Sequence, residues 1–193
     1  MKFKTGIIFF LLFAYSNVFS QAITDFLISK ELSENANAVI RLSDINITIS
    51  AQNAMTIQTK VITTVLNDLG LKALDLSEYY DKNRKISKIE VKVFDAFGKE
   101  IKSFKKKDFR DISVADGFSV FSDNRALSLN YTPISYPFTI VFETVVETSN
   151  TAFIPSWSPI HNYYVSTELS NLKIKYASDL MLNFKELNFS SEY

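Results

Sequence analysis

Apolar and polar side chains alternate at every second residue over most of this chain. In "DINITIS", Ile45, Ile47 and Ile49 alternate with polar residues, which is the pattern of a strand with one buried face. The β-branched segment "MTIQTKVITTVL" favours a second strand. A hairpin follows in "KIEVKVFDAFGKEIKSF", where two alternating runs flank a turn at residues 95–98.

Later segments of the chain repeat this pattern. The further strand candidates are "RALSLNY", "PFTIVFETVVET", "NYYVSTE", "NLKIKY" and "LMLNFKELNF", which brings the total to about eight. Helical spacing is weak and is limited to "ITDFLISKELSENANA" and a single turn in "LDLSEYY". Because no long helix separates the strands, a parallel crossover is not expected. The sequence therefore predicts an all-β fold, an antiparallel β-sandwich of about eight strands.

The prolines mark the boundaries of one strand. All four lie in or just after "YTPISYPFTIVFETVVETS": Pro133, Pro137, Pro155 and Pro159. Since proline cannot donate a hydrogen bond to a sheet, the flanking segments are predicted to be connections. We therefore predict an interior strand over residues 138–148. The only tryptophan, Trp157, is predicted to be buried as a lid over the end of the sandwich.

The first residues, "MKFKTGIIFFLLFAYSNVFS", resemble a secretory signal peptide, with a basic start, an apolar run and small residues near a cleavage point. Val18 and Ser20 suit the positions before the cut, so cleavage is predicted before Gln21. The apolar run is shorter than the roughly 20 residues of a membrane-spanning helix, although an uncleaved anchor is the alternative. No cysteine follows for a lipid or a disulfide. We expect an exported protein, periplasmic or extracellular, with no membrane span after cleavage.

The predicted organisation has three parts: a signal peptide over residues 1–20, a lead segment over residues 21–36 and one β-sandwich domain over residues 37–193. The chain stops at "NFSSEY" without a cap, linker or turn signal. We therefore expect a fragment, a gene product truncated at its C-terminus, or a stand-alone relative of a longer protein.

Charge gives little indication of a nucleic acid partner. The 21 basic and 21 acidic residues balance, whereas nucleic acid usually requires a basic face. One group of lysines could indicate a phosphate or membrane patch: Lys99, Lys102, Lys105, Lys106 and Lys107. We prefer the interpretation that these lysines keep an exposed edge strand from pairing with another molecule.

Residue types exclude several catalytic chemistries. A thiol nucleophile is impossible without cysteine, and a zinc site of the usual types is not expected with His161 as the sole histidine. A serine triad would also have to use His161, which lies near Pro159 in a predicted turn. We expect His161 to be a surface or turn residue, and we assign no catalytic, cofactor-binding or metal-binding residue and no cofactor.

Acidic and aromatic residues leave two alternatives open. Four aspartates in "KDFRDISVADGFSVFSDNR" fit no EF-hand spacing, and capping of turns is preferred to a metal site: Asp108, Asp111, Asp116 and Asp123. Exposed rings could form a sugar-stacking platform: Tyr136, Trp157, Tyr163 and Tyr164. A core rich in aromatic side chains explains the 14% aromatic content as well and is preferred.

Several motifs follow one another in order: "NANAVIRLSDINITIS", "TKVITTVLNDLG", "ISKIEVKVFDAFGKEIKSFKKKDFRDIS", "FSDNRALSLNYTPISYPFTIVFET", and "PSWSPI" with "VSTELSNLKIKY". Within them, Ala38 and Val39 open the first strand, residues 97–99 form a turn, residues 136–139 lead into the central strand, and residues 157–159 form a tryptophan–proline turn. Together they resemble the domain of unknown function at the N-terminus of secreted bacterial transglutaminase-like proteins, over about residues 36–189.

The resemblance implies a β-sandwich that stands beside a papain-like domain carrying Cys, His and Asp. No catalytic residue carries over, because that domain is absent from this chain. We expect a non-catalytic accessory or interaction module, not an enzyme, whose partner is the missing transglutaminase-like domain or another envelope protein. The alternative is a carbohydrate-binding or carboxylate-based hydrolytic domain, which would expose coplanar rings beside two carboxylates, whereas a support module would bury them.

Overall fold

Most of the alternating segments form strands. The computed structural model describes residues 28–114, 123–181, 183, 185 and 187. In chain order the strands are β1 (Ala38–Ala51), β2 (Ala54–Val65), β3 (Ser77–Tyr80), β4 (Arg84–Phe94), β5 (Glu100–Lys105), β6 (Arg110–Ser113), β7 (Arg125–Ser128), β8 (Phe138–Thr148), β9 (Val165–Thr167) and β10 (Ser170–Tyr176). Helical structure in these residues is limited to one α-turn, α1 (Lys30–Ser33), and two 3-10 helices (Asp68–Ala73 and Lys106–Asp108).

Two sheets enclose the core. The large sheet has the order β10-β1-β2-β8-β4-β5, with β9 also paired to β1, and the small sheet has the order β3-β7-β6. Leu127 of β7 belongs to the same buried cluster as Ile140 and Val91 of the large sheet. Across the two sheets, the buried Thr144 hydroxyl donates to Glu78 Oε2 at 2.9 Å. The expected all-β class is confirmed.

The predicted interior strand is confirmed as β8, which spans Phe138–Thr148 and lies between β2 and β4. It begins directly after Pro137, as the missing N–H of proline requires. Phe142 is paired with Val61 on one side and with Val91 on the other. The strand is almost entirely buried at its start, where the long strands β2 and β4 flank it.

The sheet is mixed, whereas the sequence indicated antiparallel pairing throughout. β9 and β10 both run parallel to β1. The chain leaves β8 and returns to the start of the sheet through residues 149–164, which we call the crossover. This irregular segment is long enough for a parallel crossover, which needs about a dozen residues, so no helix is required.

Hydrogen bonds fix the path of the crossover along β1 and β10. Near its beginning, the Thr151 hydroxyl donates to the carbonyl of Gln52, in the turn after β1. At its end, the backbone N–H of Asn37 donates to the carbonyl of Tyr164 at 2.8 Å, just before β1 begins. The crossover therefore runs back along the full length of β1.

Other sequence predictions have mixed outcomes. The predicted helical turn in "LDLSEYY" is wrong, because residues 77–80 pair with β7 as strand β3. The strand predicted in "LMLNFKELNF" is not formed by its described residues, and the rest of that segment lies outside them. The predicted signal peptide also lies outside the described residues. Among the residues described, no helix is long and apolar enough to cross a membrane.

Candidate functional site

His161 lies in the crossover and is exposed to solvent. Its imidazole makes no hydrogen bond or ion pair with any residue that the structure describes. Among the described residues it therefore has neither the hydroxyl partner nor the orienting carboxylate that a triad histidine needs. The expectation of a surface histidine is in accord with this placement.

The aspartates considered from the sequence separate into local structural roles. Asp108 accepts the backbone N–H of Lys105 at 2.8 Å and so caps the turn after β5. Asp111 accepts hydrogen bonds from Arg125 Nε at 2.9 Å and from the Tyr80 hydroxyl at 2.8 Å. Asp123 is exposed, and Asp116 lies outside the described residues. Across residues 28–114 and 123–181, no three acidic or histidine side chains are grouped so that they could hold a metal ion.

Two carboxyl groups are held in the ionised state by neighbouring cations. The Arg125 guanidinium, together with the Tyr80 hydroxyl, lowers the pKa of Asp111. Glu143 receives a hydrogen bond from Lys88 at 2.6 Å and an ion pair from Lys60 at 3.1 Å, and the Lys88 hydrogen bond is the main reason that its pKa is lowered. A general acid in glycoside hydrolysis needs a raised pKa, so these carboxyl groups are poorly suited to that role.

The lysines singled out from the sequence lie on or beside the edge strand β5. Lys102 and Lys105 belong to β5 itself, and the Lys102 ammonium lies 4.9 Å from the centre of the Phe104 ring. Lys106 Nζ donates to the carbonyl of Ile86 at 2.7 Å. Since β5 is the last strand on its side of the large sheet, these contacts support the edge-protection interpretation.

The prediction that Trp157 is buried over the end of the sandwich is wrong. The residue is 38% exposed, and its indole N–H donates to the hydroxyl of Ser170 at 2.9 Å. Ser170 is the first residue of β10 and pairs with Ser43 in β1. Trp157 therefore lies beside the edge strand, because the crossover carries it along β10 rather than over the sandwich end.

Several other apolar side chains of the crossover are exposed. Phe153 is 76% exposed and Ile160 is 77% exposed, and Ile154 is partly exposed. Together with Trp157 they form what we call the crossover surface: Phe153, Ile154, Trp157 and Ile160. Such a concentration of exposed apolar side chains in one short segment is typical of an interaction site.

The remaining candidate rings do not form one platform. Tyr136 packs against Phe138, with ring centres 5.6 Å apart, at the entry to β8. Tyr163 and Tyr164 are 88% and 67% exposed and lie at the end of the crossover, before β9. The preferred interpretation, that these rings form part of the core, is wrong for Tyr163 and Tyr164.

Tyr163 and Tyr164 line a cleft of about 580 Å³ where β1 and β9 begin and β2 ends. We call it the Asn37 cleft, since Asn37 links its walls. The carbonyl of Asn37 accepts the backbone N–H of Leu66 at 2.9 Å, and its side-chain oxygen accepts Asn67 Nδ2 at 3.0 Å. Because its own N–H donates to Tyr164, Asn37 joins the crossover to the segment after β2.

Gly70 makes the close packing beneath this cleft possible. A Cβ added to Gly70 would lie 2.1 Å from the carbonyl oxygen of Asn37 and 3.1 Å from a methyl group of Val65. The cleft was not predicted from the sequence, because "NANA" and "DLG" are far apart along the chain and come together only when it folds.

Comparison with known proteins gives a family and only distant structural likenesses. No curated protein matches the chain. The crystal structure of a "putative protease" from Parabacteroides distasonis ATCC 8503 is 11% identical, with a TM-score of 0.49, over 58% of this chain and 23% of that chain. The M1 zinc metallopeptidase from Deinococcus radiodurans is 9% identical, with a TM-score of 0.28, over 59% of this chain and 21% of that chain.

This chain thus spans less than a quarter of each of those two proteins. Residues 51–192, in contrast, match the family DUF3857, described as a domain of unknown function with a solved structure. Since this match covers well over half of the sequence, the chain is a member of the DUF3857 family.

Proposed function

We propose that this chain is a non-catalytic, exported β module that binds a separate protein, and that this partner is a transglutaminase-like catalytic domain. The observation that carries the proposal is the crossover surface. Its apolar side chains stay exposed although the chain buries a large apolar core elsewhere. Exposed apolar patches on folded domains usually mark sites that a partner covers.

Trp157 is suited to anchor such a partner. Tryptophan is enriched among the residues that contribute most to protein interfaces. The hydrogen bond from its indole to Ser170 holds the ring in one orientation before binding. Less side-chain entropy is therefore lost when the partner docks.

The carboxyl groups support a non-catalytic role. The pKa values of Glu143 and Asp111 are lowered by neighbouring cations, which favours stable ion pairs rather than proton transfer. The choice of partner is supported by the motifs that resemble the domain preceding transglutaminase-like domains. A carboxylate-based hydrolase finds no such support, whereas carbohydrate binding is favoured by a different part of the surface, the Asn37 cleft.

The proposal is tested by mixing the purified exported protein with a transglutaminase-like catalytic domain encoded in the same genome. Size-exclusion chromatography and calorimetry are expected to show a complex with a dissociation constant in the micromolar range or below. The double variant Phe153→Ser with Ile160→Ser is expected to weaken binding by about tenfold or more, because both side chains would be buried in the interface.

A control is Ile134→Ser, which alters an even more exposed isoleucine in the connection before β8. It is expected to bind like the unaltered protein. Absence of a complex at tens of micromolar would contradict the proposed partner. Equal weakening by the control would instead show that the crossover surface is not the binding site.

A further inference from the structure

The Asn37 cleft has the size and preformed shape of a small-molecule site. Its volume of about 580 Å³ lies within the range of about 300 to 1,000 Å³ typical of ligand pockets. Hydrogen bonds between Asn37 and two other segments, at Tyr164 and at residues 66–67, fix its walls, and the close approach of Gly70 to Asn37 fixes its base. A ligand would therefore meet a site that needs little rearrangement.

The backbone is strained on two sides of this cleft. Asn35 has a φ of 63° and Tyr164 has a φ of 60°, and both residues line the cleft. The left-handed region is tolerated by asparagine but is unusual for a bulky residue such as tyrosine. Strained residues of this kind concentrate at ligand sites, where the surrounding structure holds a side chain in a required position.

The lining of the cleft indicates the class of ligand. It combines the exposed rings of Tyr163 and Tyr164 with amide groups of Asn35 and Asn162, and none of its described lining residues is acidic. Aromatic rings offer flat apolar faces, and each amide offers both a donor and an acceptor. The apolar face and the hydroxyl groups of a sugar ring match this combination.

We propose that the Asn37 cleft binds a neutral oligosaccharide, with Tyr163 and Tyr164 contacting the sugar rings and the asparagine amides binding the hydroxyls. Among the described residues that line the cleft, Lys72 is the only charged one, so no second cation is at hand there to select a polyanion. The proposal is independent of the crossover surface, because none of the residues of that surface lines the cleft.

The experiment titrates the purified exported protein with the N-acetylglucosamine tetramer and with cellotetraose, followed by calorimetry and by NMR of the amide signals. At least one of the two sugars is expected to bind with a dissociation constant of about 1 mM or below. Tyr163→Ala is expected to weaken that binding by about tenfold. Asn35→Gly, which keeps the left-handed backbone and removes the amide, is expected to weaken it as well.

The matched control is Tyr79→Ala, which removes an exposed ring from β3 in the small sheet. It is expected to leave sugar binding unchanged. Failure of both sugars to bind at 10 mM would overturn the proposal, as would binding that Tyr163→Ala leaves intact. Tighter binding of the anionic sugar tetragalacturonate than of either neutral sugar would contradict the proposal that the ligand is neutral. None of these results depends on whether a catalytic domain binds the crossover surface.

Discussion

The carbonyl oxygen of Asn37 lies where a side chain on residue 70 would begin, since a Cβ added to Gly70 would be 2.1 Å from it. The closest contact is with backbone, which cannot move aside as a flexible side chain can. We therefore expect Gly70→Ala to lower the free energy of unfolding by about 1 to 3 kcal/mol, as overpacking does elsewhere. Denaturation in urea measures this change.

Gly98→Asn provides the comparison. Gly98 has a φ of 80° in the β4–β5 turn, and asparagine tolerates the left-handed region. Gly98→Asn is expected to lower the free energy of unfolding by less than about 1 kcal/mol. Similar losses for the two variants would contradict the close approach of Gly70 to Asn37.

The second prediction concerns stability and follows from the exposure of Trp157. Trp157→Ala is expected to cost about 1 kcal/mol or less, because the ring is part of the surface and makes one hydrogen bond. Phe138→Ala, which removes a ring that is almost fully buried at the start of β8, is expected to cost about 3 to 5 kcal/mol. Thermal and chemical denaturation of both variants test the difference. If Trp157→Ala lowers the free energy of unfolding as much as Phe138→Ala does, Trp157 is buried, as the sequence predicted.

The Glu143 ion pairs predict a dependence of stability on pH. The folded pKa of Glu143 lies below its ordinary value of 4.5, so its contribution is fully present above about pH 4.5 and is lost as the pH falls through the lowered pKa. Lys88 has a raised pKa, so its contribution to stability is present below its ordinary pKa of 10.5 and is lost as the pH rises through the raised pKa. Because these groups are only partly buried, the effect is expected to stay within about 1 kcal/mol.

Urea midpoints at pH 7 and pH 3 test the acid side of this prediction. Glu143→Gln is expected to lose less stability between the two pH values than the unaltered protein does. Glu147→Gln changes an exposed glutamate of the same strand that makes no ion pair with a described residue, and it is expected to keep the original pH dependence. Identical pH profiles for the unaltered protein and Glu143→Gln would contradict the assignment.

The placement of His161 predicts an absence of catalysis. The purified protein is expected to show no peptidase or amine-transfer activity, and His161→Ala is expected to leave its stability and binding unchanged. Assays with a glutamine-donor peptide and with casein provide the measurement. Turnover that disappears in His161→Ala would contradict the non-catalytic proposal.

Signal cleavage is predicted before Gln21, because Val18 and Ser20 are small residues that suit the positions before the cut. The intact mass of protein recovered from the cell envelope or the medium measures the mature N-terminus. A species that keeps Met1 in the envelope would indicate an anchor instead.

The strands that follow from local pattern were predictable from the sequence. Burial alternates as the sequence pattern does over residues 47–50 of β1, 54–58 of β2 and 89–94 of β4, and a proline marks where β8 begins. The parallel pairing of β10 was not predictable, because it depends on where the crossover takes the chain and not on the pattern of β10 itself. For the same reason the exposure of Trp157 and the meeting of Gly70 with Asn37 were missed, since both arise from contacts between distant segments.

The crossover also determines the order in which the large sheet can be completed. β1 and β2 are neighbours in sequence and can pair early, but the other side of β1 is covered only by residues 165–176. Pairs as distant as Ser43 with Ser170 close slowly, because a long loop must be closed before they form. Until then β1 presents an open, largely apolar edge on which a second copy could add. Keeping the chain unfolded until β10 is available would protect it from such pairing.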